Sequence, residues 1–275
     1  MTAAEQPPNR PVLSIVVPVF NESQALPTFH AETMKVIHEM GVEAELIYVD
    51  DGSTDRSWQA ICELPGPVRR VRFSRNFGKE AALTAGLDVA SGDATVVIDA
   101  DMQHPPRVIA DLFSQWKSGA KIVCAARTTR ESDGLVRRSM SNAFYKTFNS
   151  LSDQPLPRGV SDFRLMDSQV VDVVGIMPER SRFMKAMLTW PGFEMTIVPF
   201  EVATRVAGSS KFSPVRLWRF GLDGLFNFSS RPLQVWMYLG MVTILISLLL
   251  MAVMVVSYLL FGASLSGYRT VIAVV

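Results

Sequence analysis

After eleven polar and proline-rich residues, the chain enters VLSIVVPVF (12–20), which is apolar almost throughout. Such a run, without polar alternation, predicts a strand buried on both faces. The pattern then changes period. Residues 23–40 space their apolar positions as a helix does, with Ser23 placed to cap it. AELIYVD (44–50) predicts the second strand, and GSTDRSWQAICEL turns into a second helix. VRRVRFS (68–74) is the third strand, GKEAALTAGLDVASG (78–92) a helix closed by glycine, DATVVIDAD (93–101) the fourth strand. A helix opened by Pro105 and Pro106 separates it from a fifth strand, AKIVCAAR (120–127). Alternating strands and helices predict a mainly parallel sheet with helices on both faces, an α/β Rossmann-like architecture.

A different pattern begins near residue 211. In KFSPVRLWRFGLDGLFNFSSRP (211–232), Lys211, Arg216, Arg219 and Arg231 interleave with Phe, Leu and Trp. That mixture suits an amphipathic segment lying in a lipid headgroup layer, and its basic residues put this side in the cytoplasm. Residues 233–261 are apolar on all sides and exceed the ~20 residues a helix needs to cross hydrocarbon. From Pro232 to Tyr268 there is no Asp, Glu, Lys or Arg. The apolar end, 268–275, starts a second span that is expected to continue beyond the chain. The expected division is thus a flexible lead-in (1–11), a catalytic domain (12–210), an interface segment (211–232), a transmembrane helix (233–261) and the start of another.

Composition adds little to this division. With 48% hydrophobic and 19% charged residues the chain is a folded one, and a net charge of +1 gives no pull toward nucleic acid. Cys62 and Cys124 have no metal-ligand spacing and are expected to be reduced core thiols.

The candidate chemistry lies where the strands end. In a parallel sheet, ligands bind beyond the carboxyl ends of the strands. Strand one ends in PVFNE (18–22), strand two in DDGSTD (50–55), strand four in DADMQ (99–103) and strand five in Arg127. Alternate residues of an extended chain face the same way, roughly 6.5 Å apart. Asp99 and Asp101, with Gln103 if the chain has not turned, can therefore share one cleft. Two carboxylates and an amide oxygen are hard ligands, suited to Mg²⁺ or Mn²⁺ rather than zinc. The simpler reading makes Asp99 a turn cap and leaves Asp101 solvated. His104 reads as a turn histidine packed on prolines, and Glu194 and Glu201 as surface charges.

Several reaction classes lack their motifs. A dinucleotide dehydrogenase needs G-x-G-x-x-G after the first strand, where PVFNES stands, and the P-loop G-x-x-x-x-G-K-[ST] is absent. Adjacent aspartates at strand ends do not place two carboxylates across a sugar, as glycoside hydrolysis requires. Transfer from a nucleotide diphosphate compound remains, with a metal neutralising the diphosphate as it leaves.

IVVPVFNE, VDDGSTD, SRNFGKEAALTAGLDVASGDATVVIDADMQHPP, SDFRLMD and RVAGSSKF follow in that order. Across residues 12–232 the chain resembles the family-2 glycosyltransferases, more narrowly the polyprenyl-phosphate sugar transferases that include dolichol-phosphate mannose synthases and undecaprenyl-phosphate glucosyltransferases. The resemblance implies a GT-A fold, a nucleotide-sugar donor (a UDP-sugar), an undecaprenyl phosphate acceptor, an inverting displacement, a homo-oligomer, and a site at the cytoplasmic face of a bacterial inner membrane.

By that resemblance Pro18, Asn21, Glu22, Asp50, Asp51, Lys79, Asp99 and Ala100 contact the nucleotide sugar, and Asp99, Asp101 and Gln103 hold the metal. Asp162 matches the position usually assigned as catalytic base, with Arg164 beside it. Arg205 and Lys211 match a loop over the diphosphate. Arg127, Arg137 (or its neighbour Arg138) and Ser141 match the acceptor-phosphate site. Two alternatives stay open: a processive polysaccharide synthase, although no Q-x-x-R-W motif precedes the span, and a non-catalytic scaffold that binds nucleotide sugars.

Overall fold

In the computed structural model of the protein, residues 11–127, 160–178, 184–200 and 231–261 are described. The expected rhythm is present: β1 (Leu13–Val19), α1 (Leu26–Met40), β2 (Ala44–Asp50), α2 (Ser57–Glu63), β3 (Val68–Arg72), α3 (Lys79–Val89), β4 (Ala94–Val97), α4 (Val108–Lys117) and β5 (Ile122–Arg127). Two strands that the apolar pattern did not predict follow: β6 (Val160–Asp167) and β7 (Met195–Phe200). Two short helices, α5 (Ser168–Gly175) and α6 (Met184–Thr189), lie between them. SDFRLMD hides its strand because both faces are covered, so Phe163, Arg164, Leu165 and Met166 are all buried and no alternation survives.

The sheet order is β3-β2-β1-β4-β6-β5-β7. β6 runs antiparallel to both β4 and β5, while the remaining pairings are parallel. This one reversal matters for the site. It brings the beginning of β6, with Asp162, to the same edge as the carboxyl ends of β1, β2, β4 and β5.

Helices α1, α2 and α4 pack together on one face, and α3 and α5 on the other. The larger core lies under the first group, where Leu13, Ile15, Val17, Leu46 and Tyr48 meet Leu26, Phe29, Ile61, Ile109 and Leu112. On the second face α3 crosses β1 at Gly86, where an added Cβ would come within 2.2 Å of Val16 Cγ1. Only glycine allows that approach.

Local details depart from the sequence reading. Helix α1 begins at Leu26 rather than Ser23, because the Ser23 N–H donates to Asp55 Oδ2 (3.3 Å) and Pro27 starts the first turn. Cys124 is a buried thiol as expected, but Cys62 is exposed on α2, so it is no core residue. Residues 231–261 form one helix, α7, whose 234–260 stretch is long and apolar enough to cross a membrane, with mean hydropathy 2.8. Residues 211–230 of the expected interface segment and the second span lie outside the described residues, as do Glu201 and residues 1–10, while 231 and 232 belong to the apolar helix. By internal contacts the chain divides into two units, residues 1–227 and 228–275.

Candidate active site

At the ends of β1 and β2 a set of short polar residues ties two loops together. Asn21, with φ 55°, accepts through Oδ1 from the Thr54 N–H (2.8 Å) and the Asp55 N–H (3.3 Å), and its own N–H donates to Ser53 Oγ (3.0 Å). The Glu22 N–H donates to Ser57 Oγ (2.8 Å). Asp50 is fully buried; Oδ1 accepts from the Ser53 N–H (3.2 Å) and Oδ2 lies 3.4 Å from Arg72 Nε. Asp51 Oδ1 accepts from the N–H groups of Phe77 (2.7 Å) and Gly78 (3.2 Å). Burial pushes the Asp51 carboxyl above the usual range, against the pull of those two N–H groups. In this structure Asn21, Asp50 and Asp51 shape the strand-end loops. Between those loops opens a cleft of about 650 Å³ lined by Phe20, Gly52, Ser53, Arg72, Phe73 and Arg75, among others.

β4 supplies the second part. Its ladder ends at Val97, Ile98 still donates to the Val16 carbonyl (3.1 Å), and Met102 takes φ 63°. The chain therefore turns at Asp101, whose Oδ1 accepts from the Gln103 N–H (3.0 Å). This corrects the extended alternation of Asp99, Asp101 and Gln103: strand pairing stops at Val97 and the chain turns at residues 100–101, before Gln103, so the three residues do not continue one strand. Ala100 is buried and Pro18 is partly exposed in β1. His104 is also buried. It packs on Phe163 and Phe200 (ring centroids 5.5 and 5.6 Å) with Nδ1 3.8 Å from Asp99 Oδ2, so aromatic rings and an aspartate are its neighbours. Glu194 is exposed, as expected.

β6 supplies the third part. The antiparallel register pairs Val97 with Arg164; carried two residues further, it sets Asp99 opposite Asp162. Lys79, the first residue of α3, fills the gap. Its Nζ lies 2.7 Å from Asp99 Oδ1, 2.9 Å from Asp99 Oδ2 and 2.9 Å from Asp162 Oδ2. Burial works against the ammonium charge, but Asp99 and then Asp162 outweigh it and hold the Lys79 pKa above the ordinary lysine value. Asp162 Oδ1 accepts from Arg164 Nη2 (3.3 Å), and Arg164 is buried. Beside them Glu80 Oε2 accepts from the Met184 N–H (3.0 Å), and burial raises its carboxyl pKa.

The donor set fits a hard divalent ion. Among the described residues no three His, Cys, Asp or Glu side chains gather as a ready-made ligand group. Yet two carboxylates from separate strands already converge on one cation, the Lys79 ammonium, with Asp101 two residues from Asp99. The structure thus joins Asp99, Asp162, Arg164 and Lys79, and separately joins Asn21, Glu22, Asp50 and Asp51 through the loops. Arg127 closes β5 at the same edge, but its side chain, and Arg137, Ser141, Arg205 and Lys211, lie outside the described residues. The sequence reading missed the Glu80–Met184 contact and the bridging geometry of Lys79. The only available signal was the KE pair opening α3 after a glycine.

This sheet, with one reversed strand and carboxylates at its ligand edge, defines a GT-A glycosyltransferase fold. Glucosyl-3-phosphoglycerate synthase from Mycobacterium tuberculosis, in complex with Mn²⁺, uridine diphosphate and glucosyl-3-phosphoglycerate, shares it: 20% identity, 77% of this chain and 76% of that chain covered, TM-score 0.56. The same synthase in complex with Mg²⁺ and uridine diphosphate has a TM-score of 0.54 at 20% identity, over 77% and 76% of the two chains. Residues 14–175 match the family described as Glycosyl transferase family 2, and the chain belongs to that family. It is similar to the bactoprenol glucosyl transferase of Shigella phage SfV, 42% identical over 264 residues that cover 94% of this chain and 86% of that one. The protein is therefore an enzyme, a glycosyltransferase.

Proposed function

We propose that the protein transfers a hexose from a UDP-sugar to undecaprenyl or a related polyprenyl phosphate at the cytoplasmic face of a membrane. The observation that carries this reading is the pair of carboxylates from β4 and β6 held around one cation at the ligand edge of the sheet. The acceptor is argued from the bactoprenol glucosyl transferase relative and from the apolar 234–260 helix, which would keep the enzyme where a lipid phosphate lies.

Asp99, Asp101 and Gln103 would hold Mg²⁺ or Mn²⁺, and the ion would neutralise the diphosphate as it departs. The Asn21 and Asp51 networks keep the loops around the 650 Å³ cleft in place for a nucleoside. Arg127, Arg137 and Ser141 would take the acceptor phosphate, and Arg205 and Lys211 would close on the diphosphate. A phosphate-monoester oxygen attacks the anomeric carbon while that carbon's bond to the diphosphate oxygen breaks, and the electron pair leaves with the diphosphate. With a second pKa near 6, the acceptor is already ionised at neutral pH. Asp162 then has little proton to remove, and its work is to hold Lys79 and Arg164 in position.

The test uses the full chain in lipid nanodiscs with undecaprenyl phosphate, Mn²⁺ and a panel of UDP-sugars, and identifies the glycolipid by mass. A single added hexose is expected. A growing polymer would favour the processive synthase, and donor binding without product the scaffold.

A further inference from the structure

We infer that Lys79 is a resident counter-ion that occupies the divalent-metal position until the donor diphosphate arrives, so that metal and donor enter together. The inference rests on the UDP-sugar reading above and concerns how its site is loaded.

Lys79 is fixed at its root by the segment before it. The preceding N–H groups, those of Phe77 and Gly78, are both held by Asp51, and Gly78 has φ 100°. A flexible four-carbon stem then carries the ammonium into the gap between β4 and β6. An ammonium has three N–H donors, and here it faces three carboxylate oxygens at 2.7–2.9 Å: Oδ1 and Oδ2 of Asp99 and Oδ2 of Asp162.

The two Asp99 oxygens are also ones that a hard cation held by Asp99, Asp101 and Gln103 would use. Mg²⁺ takes its oxygen ligands at about 2.0–2.1 Å in a near-octahedral shell. An ion that close to Asp99 stands beside the ammonium, so the two cations repel each other and draw on the same carboxylate. A free divalent ion must therefore displace Lys79 with nothing to offer in exchange. A metal arriving with a diphosphate brings anionic oxygens to which the displaced ammonium can turn. The side chains of Lys79, Asp99 and Asp162 are 31%, 27% and 31% exposed, so the gap is open to solvent.

Mn²⁺ binding to the full-length protein in detergent, followed by electron paramagnetic resonance of the free ion with and without UDP, tests this. Wild type is expected to bind Mn²⁺ at least tenfold more weakly alone than with UDP. In Lys79→Met, binding of Mn²⁺ alone should tighten about tenfold, and the gain from UDP should shrink, since the coupling is reciprocal. Lys79→Arg keeps the cation and should stay weak. Tighter metal binding is not what a damaged site gives, so the direction of change separates a competitor from a structural part. If Lys79→Met does not fold, Lys79→Gln provides the same neutral comparison. Unchanged or weaker Mn²⁺ binding by the folded neutral variants, with Mn²⁺–UDP binding intact in wild type, overturns the role of Lys79 alone. Failure of wild type to bind UDP at any Mn²⁺ concentration overturns the donor reading and this inference with it.

Discussion

Lys79 Nζ lies 2.7 Å from Asp99 Oδ1, an ion pair that joins the start of α3 to the end of β4. Because Asp99 and Asp162 raise the Lys79 pKa above its unfolded value, the pair's stabilisation is fully present below about pH 10.4, the ordinary lysine value. It is lost only as pH rises through the higher folded value. Lys79→Met should cost about 1 kcal/mol of stability, a partly exposed pair being worth that order. The difference from wild type should stay flat from pH 6 to 9 in denaturant titrations.

Asp162 divides its two oxygens between Lys79 and Arg164. Asp162→Asn keeps the size but removes the charge that holds both. Steady-state kinetics should show kcat reduced by roughly tenfold, the order of lost positioning rather than lost chemistry, with donor KM changed by less. A loss of several orders at every pH would instead make Asp162 the base.

Gly52 faces the 650 Å³ cleft with φ 64°, and an added Cβ would stand 2.2 Å from the Arg75 carbonyl carbon. Gly52→Ala therefore forces the β3–α3 loop away. Unfolding experiments should show a loss of about 2–3 kcal/mol, from backbone strain plus displaced packing. UDP affinity should fall in calorimetry.

Asp51→Ala removes the acceptor for two backbone N–H groups, those of Phe77 and Gly78. Leaving partly buried donors unpaired costs about 1–3 kcal/mol. The same change frees the root of Lys79, so faster hydrogen exchange at Phe77 through Lys79 is expected.

Asp167 answers to acid. Burial opposes its charge, but the Trp116 Nε1–H (2.8 Å), the Gln169 N–H and Lys121 outweigh it and hold its pKa below the usual carboxylate range. Its stabilisation is present above about pH 3.9, the unfolded aspartate value, and is lost as pH falls through the folded one. Asp167→Asn should be about 1 kcal/mol less stable at pH 7, and the two proteins should converge near pH 2 in urea titrations.

The polar strand ends were legible because each follows an apolar run and precedes a turn-forming residue: Asn21 after β1, Asp50 and Gly52 after β2, Asp99 after β4. Reading β4 as extended through Asp101 failed for a local reason. Strand pairing stops at Val97, and nothing in DADMQ announces that Met102 adopts a positive φ. Cys62 was misplaced because α2 is short and its outer face carries an apolar-looking residue.

The amino-acid sequence by itself determined the parallel half of the sheet, β1 through β5, and the apolar helix expected at 233–261. Both rest on interactions local enough for hydrophobic period and turn chemistry to specify them. The tertiary structure alone decided that β6 enters antiparallel between β4 and β5. A strand buried on both faces has no period to reveal its direction, and its register is a long-range choice. That choice sets Asp162 opposite Asp99 and leaves between them a gap that Lys79, more than eighty residues before Asp162 in the chain, reaches across to fill.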